Sequence, residues 1–156
     1  MSIELSTLNR LYDEDYYLWI ETTVKQLQKR EINNLDWEHL TEEIEALGNE
    51  LKHKVKSYLK QLLIHLLLYR YWQEQKTYCA SGSEDEIDNF RDELEWLLQS
   101  KSLYNYFLTV FDEVYEKARK KAIQKTKLPN LTFPETCPFT IEQVLNPDFL
   151  PSEDES

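Results

Sequence analysis

The segment LDWEHLTEEIEALGNE, residues 35 to 50, carries five glutamates and a histidine beside an apolar stripe. On a helix, His39, Glu43, Ala46, Glu50 and His53 fall on one line, at spacings of four, three, four and three. Carboxylates and imidazoles in such a line are the groups that ligate metals and move protons in hydrolysis. Glu50 and His53 also form the Glu-x-x-His pair used by carboxylate-bridged metal bundles. The helical rise limits the idea, because His39 and His53 stand about 21 Å apart on a straight helix and cannot surround one ion. A di-metal site also needs a second Glu-x-x-His, which this chain lacks. His39, Glu43, Glu50 and His53 are therefore metal-ligand candidates without a complete set. The expectation is a solvated, salt-bridged flank, with no metal and no cofactor, in which Glu43 alone is partly buried.

Two other groups could do chemistry. His65 projects into the apolar stripe of the same helix, where a histidine is ordinarily a neutral core residue with one nitrogen hydrogen-bonded. Together with Glu43 it is the candidate acid or base of a hydrolase acting on nucleic acid, although no serine or cysteine in a strained turn is available to pair with it. Lys117, Arg119, Lys120 and Lys121 crowd the end of a later helix. They complement its C-terminal dipole, and they are also candidates for docking an acidic partner or RNA.

Composition narrows the classes. Eighteen basic residues against 29 acidic ones give a net charge of -11, which disfavours duplex nucleic acid and anionic membrane. Only two glycines occur, Gly48 and Gly82, so glycine-dependent phosphate loops are excluded. Cys79 and Cys137 have no motif spacing, and the beginning MSIELSTLNR lacks a signal-peptide pattern, which points to the cytoplasm and free thiols.

The elements that must position these groups are helical. Tyr16, Ile20, Val24 and Leu27 predict a first helix from Asp13 to about Lys29. Asp36 is an N-cap for a second, whose apolar face runs through Trp37, Leu40, Ile44, Leu47, Leu51, Val55, Tyr58 and Leu62. Continuity through Gly48 is favoured over a break there, since an interior glycine costs only about 1 kcal/mol. Residues 58 to 72 are apolar nearly all round but too short to span a bilayer, so they predict either a central helix or a homodimer contact. TYCASGS at 77 to 83 predicts a break, with Ser83 and Glu86 as a capping box opening a third helix. A fourth runs from Ser102 to about Thr126. Pro129, Pro134 and Pro138 then enforce a strap with a short capped turn at Thr140 and Gln143. The fold expected is all-α, a mostly antiparallel four-helix bundle with a proline-rich C-terminal strap. It forms a single helical domain over residues 1 to 151, and 152 to 156 form a disordered acidic tail.

The blocks YDEDYYLWI, LDWEHLTEEIEALG, HLLLYRYW and FPETCPFTIEQVLNPDFLP, in this order, resemble the bacterial domain-of-unknown-function family twenty-nine. The likeness covers nearly the whole chain. Its most specific part is the last block, because Phe133, Pro134, Cys137, Pro138 and Thr140 have no generic helical reason to occur together. CASGSEDE departs from the family pattern, which usually has a tryptophan after a serine there. The resemblance implies an all-helical fold and no established activity. A non-enzymatic interaction domain with an unknown protein partner is the expected function, and a nuclease-like hydrolase is the alternative.

Overall fold

The computed structural model describes residues 3 to 152, excepting the side chains of 73 to 82. The described residues are all-α, without strands. The helices are α1 (Leu5–Glu14), α2 (Tyr16–Gln28), α3 (Trp37–Tyr71), α4 (Gln73–Leu98), α5 (Lys101–Thr126) and α6 (Ile141–Leu145). The chain forms two compact units, Met1–Glu50 and Leu51–Ser156.

In the first unit, the helix expected from Asp13 to about Lys29 is α2, and a helix that was not expected, α1, precedes it. Asp15 leaves helical geometry at φ -151° and ψ 80°, and its side chain accepts a hydrogen bond from the Leu18 amide, capping α2. The acidic run Asp13–Asp15 thus marks a junction, with α1 before it. Asp36 caps α3 as expected, its Oδ1 accepting from the His39 amide at 3.3 Å. α3 is helical through Gly48, and a Cβ there would meet no atom within 4 Å.

The second unit is organised around one all-round buried run. Every residue from Leu62 to Leu68 is buried, together with Val55 and Leu59. Within the chain this run is covered as expected of a central helix. Each leucine so buried contributes about 1.5–3 kcal/mol. α4 and α5 are joined by the short link Gln99–Ser100 and pack against each other, contributing Ile87, Leu94, Phe107, Val110, Phe111, Val114, Ala118 and Ala122 to this core. Ser83 is not the N-cap of α4: it is buried inside that helix, which begins after Trp72. The break expected at 77 to 83 is absent, because α4 is helical from Gln73 through this stretch; the tail beyond 152 lies outside the described residues.

The C-terminal segment is fastened by polar anchors. Arg119 donates from Nε to the Phe133 carbonyl and from Nη2 to that of Asn130. Tyr115 donates to the Pro134 carbonyl. Arg91 donates to the carbonyls of Val144 and Gln143 at the end of α6, at 2.9 and 3.2 Å. Thr140 and Gln143 form the reciprocal capping box, and Phe133, Phe139 and Val144 are buried. Cys137 is a free thiol, half-buried, whose pKa burial pushes up to about 11.

Replacing Arg91 with methionine removes its bonds to both carbonyls, leaving Gln143 with only the Asn146 amide as donor, and should cost about 1–3 kcal/mol in urea unfolding. An unchanged midpoint would show that Arg91 does not fasten the segment. Replacing Gly48 with alanine should raise stability by roughly 0.5–1 kcal/mol, because the helix interior there has room for the methyl group. A loss would show that the helix breaks at this position.

Candidate functional site

The polar centre of the first unit is Asp36, only 3% exposed. Beyond its capping bond, its carboxylate accepts from Trp19 Nε1 at 3.1 Å and from His39 Nδ1 at 2.6 Å. Asn9, with its amide oriented to satisfy both ends, donates to Oδ1 and Oδ2 at 3.1 and 2.9 Å. Tyr12 stacks flat on His39 with ring centroids 3.9 Å apart, and Trp19 meets both rings edge-on. One turn further along α3, Glu43 accepts the hydroxyls of Tyr12 and Tyr16 on its two oxygens.

Each bond leaves an electrostatic mark. The Asp36 hydrogen bond raises the His39 pKa against the opposing effect of desolvation. The hydroxyls of Tyr12 and then Tyr16 hold Glu43 below its ordinary value, and the same carboxylate raises Tyr12 to about 12. Glu43 is therefore an anion with both oxygens occupied, half-buried, while Glu38, Glu42, Glu45 and Glu50 are exposed. A carboxylate orienting an imidazole is an acid–base arrangement in form. Among the described residues, however, no three His, Cys, Asp or Glu side chains converge as metal ligands. Sequence reasoning took Asp36 only as a helix cap and missed Asn9, Tyr12 and Trp19. The signal available was an Asp followed three residues later by His, within an aromatic-rich unit.

The burial of α2 is turned from the expected face. Trp19, Thr23 and Gln26 are buried, each one residue before Ile20, Val24 and Leu27, so the helix is rotated by about 100°. Val24 and Leu27 are exposed, whereas Thr23 Oγ1 and Gln26 Oε1 are buried without a hydrogen-bond partner among the described residues. The other end of Gln26 donates to the Asn34 carbonyl. On α3, Ile44 and Leu47 are 60% and 58% exposed, and Trp37 is exposed too. The first unit thus buries Thr23, Gln26 and Asp36 together with Leu8, Trp19 and Leu35, and leaves two apolar stripes outside.

The remaining candidates lie in the second unit, except Glu50. His53 is exposed, as is Glu50. His65 is buried, its Nε2 lies 3.0 Å from Glu86, and it stacks on Phe90. Desolvation lowers its pKa despite Glu86, and its Nδ1 has no partner among the described residues. The basic cluster is divided. Arg119 is committed to carbonyls of the C-terminal segment, Lys117 lies 3.5 Å from Glu113, and Lys120 and Lys121 are exposed. The open groove of about 680 Å³ beside them is also lined by Glu116 and Glu135, so its charge is mixed.

The family model described as Domain of unknown function DUF29 matches residues 11–150, and the chain belongs to that family. No curated protein and no solved structure matches the chain. Among the described residues, no helix is long and apolar enough to cross a membrane.

The His39 pKa is raised above its ordinary 6.5, so the Asp36–His39 contact stabilises the first unit fully below that pH. The contribution is lost as pH rises through the folded-state pKa. His65, with its pKa lowered, acts in the opposite sense in the second unit, so the readout must be local. Amide protection factors in α1 and α2, which divide out the base-catalysed intrinsic rate, should fall as the pH rises from about 6 to 8, and Asp36→Asn should flatten this dependence. Equal pH dependence in the variant would show that the pair is not the source.

Proposed function

We propose, for this member of the DUF29 family, that the chain is a non-enzymatic helical interaction domain that docks a partner on the apolar faces of its first unit. The observation carrying this reading is the inverted burial there: Thr23, Gln26 and Asp36 lie inside while Val24, Leu27, Ile44 and Leu47 lie outside. Apolar stripes at helical spacing, exposed beside a polar interior, are what a partner helix or groove covers. The net charge of -11 favours a protein partner over nucleic acid. The reading places this activity in the bacterial cytoplasm, where Cys137 stays a thiol.

The second reading is a hydrolase acting on nucleic acid, favoured by the Asp36–His39 contact alone. The acid–base pair first considered for it, Glu43 and His65, falls in separate units, and both Glu43 oxygens already hold tyrosine hydroxyls. Loss of hydrolysis in His39→Gln, with docking retained, would favour this alternative.

The double variant Ile44→Ser, Leu47→Ser tests the docking surface. It should leave folding stability within about 1 kcal/mol, since exposed positions contribute little, and should remove partners captured by cross-linking in native lysate. A core change, Leu66→Ala, should instead cost about 2–5 kcal/mol. A large stability loss in the double variant, with partners unchanged, would show these residues to be core.

A further inference from the structure

We infer that the cavity between the last turns of α4 and the end of α6 is a binding site for a free α-amino acid with an aliphatic side chain. It lies in the second unit, whereas the proposed docking face belongs to the first. The cavity has a volume of about 370 Å³, within the range of small-molecule sites. Leu98, Tyr104, Leu145 and Pro147 give it apolar walls, and Arg91 and Glu95 bring two opposite charges to it.

Arg91 sets the first charge of the ligand. It is only 3% exposed, and a buried guanidinium is costly unless both its charge and its N–H groups are matched. Two of its five N–H groups are used, one from Nε on the Val144 carbonyl and one from Nη2 on that of Gln143. These carbonyls offer partial charges only. Nη1 is buried without a hydrogen-bond partner, and no carboxylate pairs with Arg91 among the described residues. What stays unused includes the edge shared by Nη1 and Nη2, whose parallel N–H groups are matched by the two oxygens of a carboxylate.

Glu95 sets the second charge. It stands one turn further along α4, about 6 Å from Arg91 along the axis, and is exposed at the border of the same cavity. A plain anion held by Arg91 would face the Glu95 carboxylate, and a plain cation held by Glu95 would face the guanidinium. A ligand with a carboxylate and an ammonium on neighbouring atoms satisfies both. The interior of a peptide carries neither charge, so the free amino acid is the fitting form, and the four apolar wall residues suit a side chain of leucine size.

The test titrates the isotope-labelled full chain, followed by amide resonances, with three probes. These are L-leucine, isocaproate, which lacks the ammonium, and isopentylamine, which lacks the carboxylate. Leucine should give saturable shifts centred on residues 91 to 104 and 143 to 147. It should bind several-fold tighter than isocaproate and at least about tenfold tighter than isopentylamine, because bonds to a buried charge contribute more than an exposed ion pair. Glu95→Gln should leave the unfolding midpoint in place and remove the advantage of leucine over isocaproate. Arg91→Lys keeps the charge and loses the fork, and should weaken leucine binding by about tenfold or more. Arg91 also fastens α6, so if that variant does not fold, the wild-type ranking and Glu95→Gln decide. Isocaproate binding as tightly as leucine to the wild type would make the occupant a plain carboxylate and overturn the inference. So would the absence of saturable shifts, shifts centred elsewhere, or unchanged leucine affinity in a folded Arg91→Lys variant.

Discussion

A buried carboxylate is the constraint from which the first unit follows. Asp36 is almost fully shielded from water, and a carboxylate in that position is costly unless donors surround it. Trp19, His39, Asn9 and the His39 amide supply them. Trp19 can reach Asp36 only if its side of α2 faces inward. Thr23 and Gln26, four and seven residues later on the same face, are buried with it, while Val24 and Leu27 turn outward. The burial of Thr23 and Gln26 and the exposure of Val24 and Leu27 are two results of one electrostatic requirement. In the second unit the buried charge of Arg91 is held by the Val144 and Gln143 carbonyls, and the leucines from Leu62 to Leu68 are buried as hydrophobicity alone would have them.

This contrast explains which parts of the fold could be read from the sequence. The central helix, the Asp36 cap, the continuity of α3, the end of α5 and the Thr140–Gln143 capping box all depend on local patterns, and all appear in the structure. The face buried by α2 was not legible. Periodicity finds where apolar residues align, and it holds no information about a distant carboxylate needing an indole donor. α1 was hidden because Asp13–Asp15 reads as a helix start, which Asp15 is for α2, and the same run also ends the helix before it. Ser83 and Glu86 fit a capping pattern that occurs by chance in any acidic helix, and Glu86 lies instead against His65.

The candidate site was legible only at its edges. The half-burial of Glu43 within a wet acidic flank could be argued from its place beside the stripe, and the structure adds the two tyrosine hydroxyls that hold it. His65 shows one close polar partner and a lowered pKa, as expected of a core histidine. Arg119 had looked like part of a docking patch because charge alone was counted; the carbonyls it binds belong to a segment folded back over α5. Exposure of Trp37, Ile44 and Leu47 ran against the expected core stripe.

The central claim is that α2 presents its aliphatic residues outward, and thiol labelling measures this most directly. With Cys79 and Cys137 replaced by serine, single cysteines at positions 23, 24, 26 and 27 would be reacted with a thiol reagent under native conditions. Cysteine at 24 and 27 should label at close to the rate of an unfolded peptide, and cysteine at 23 and 26 should be protected. Protection at 24 and 27 with free labelling at 23 and 26 would place the aliphatic stripe in the core and contradict the account.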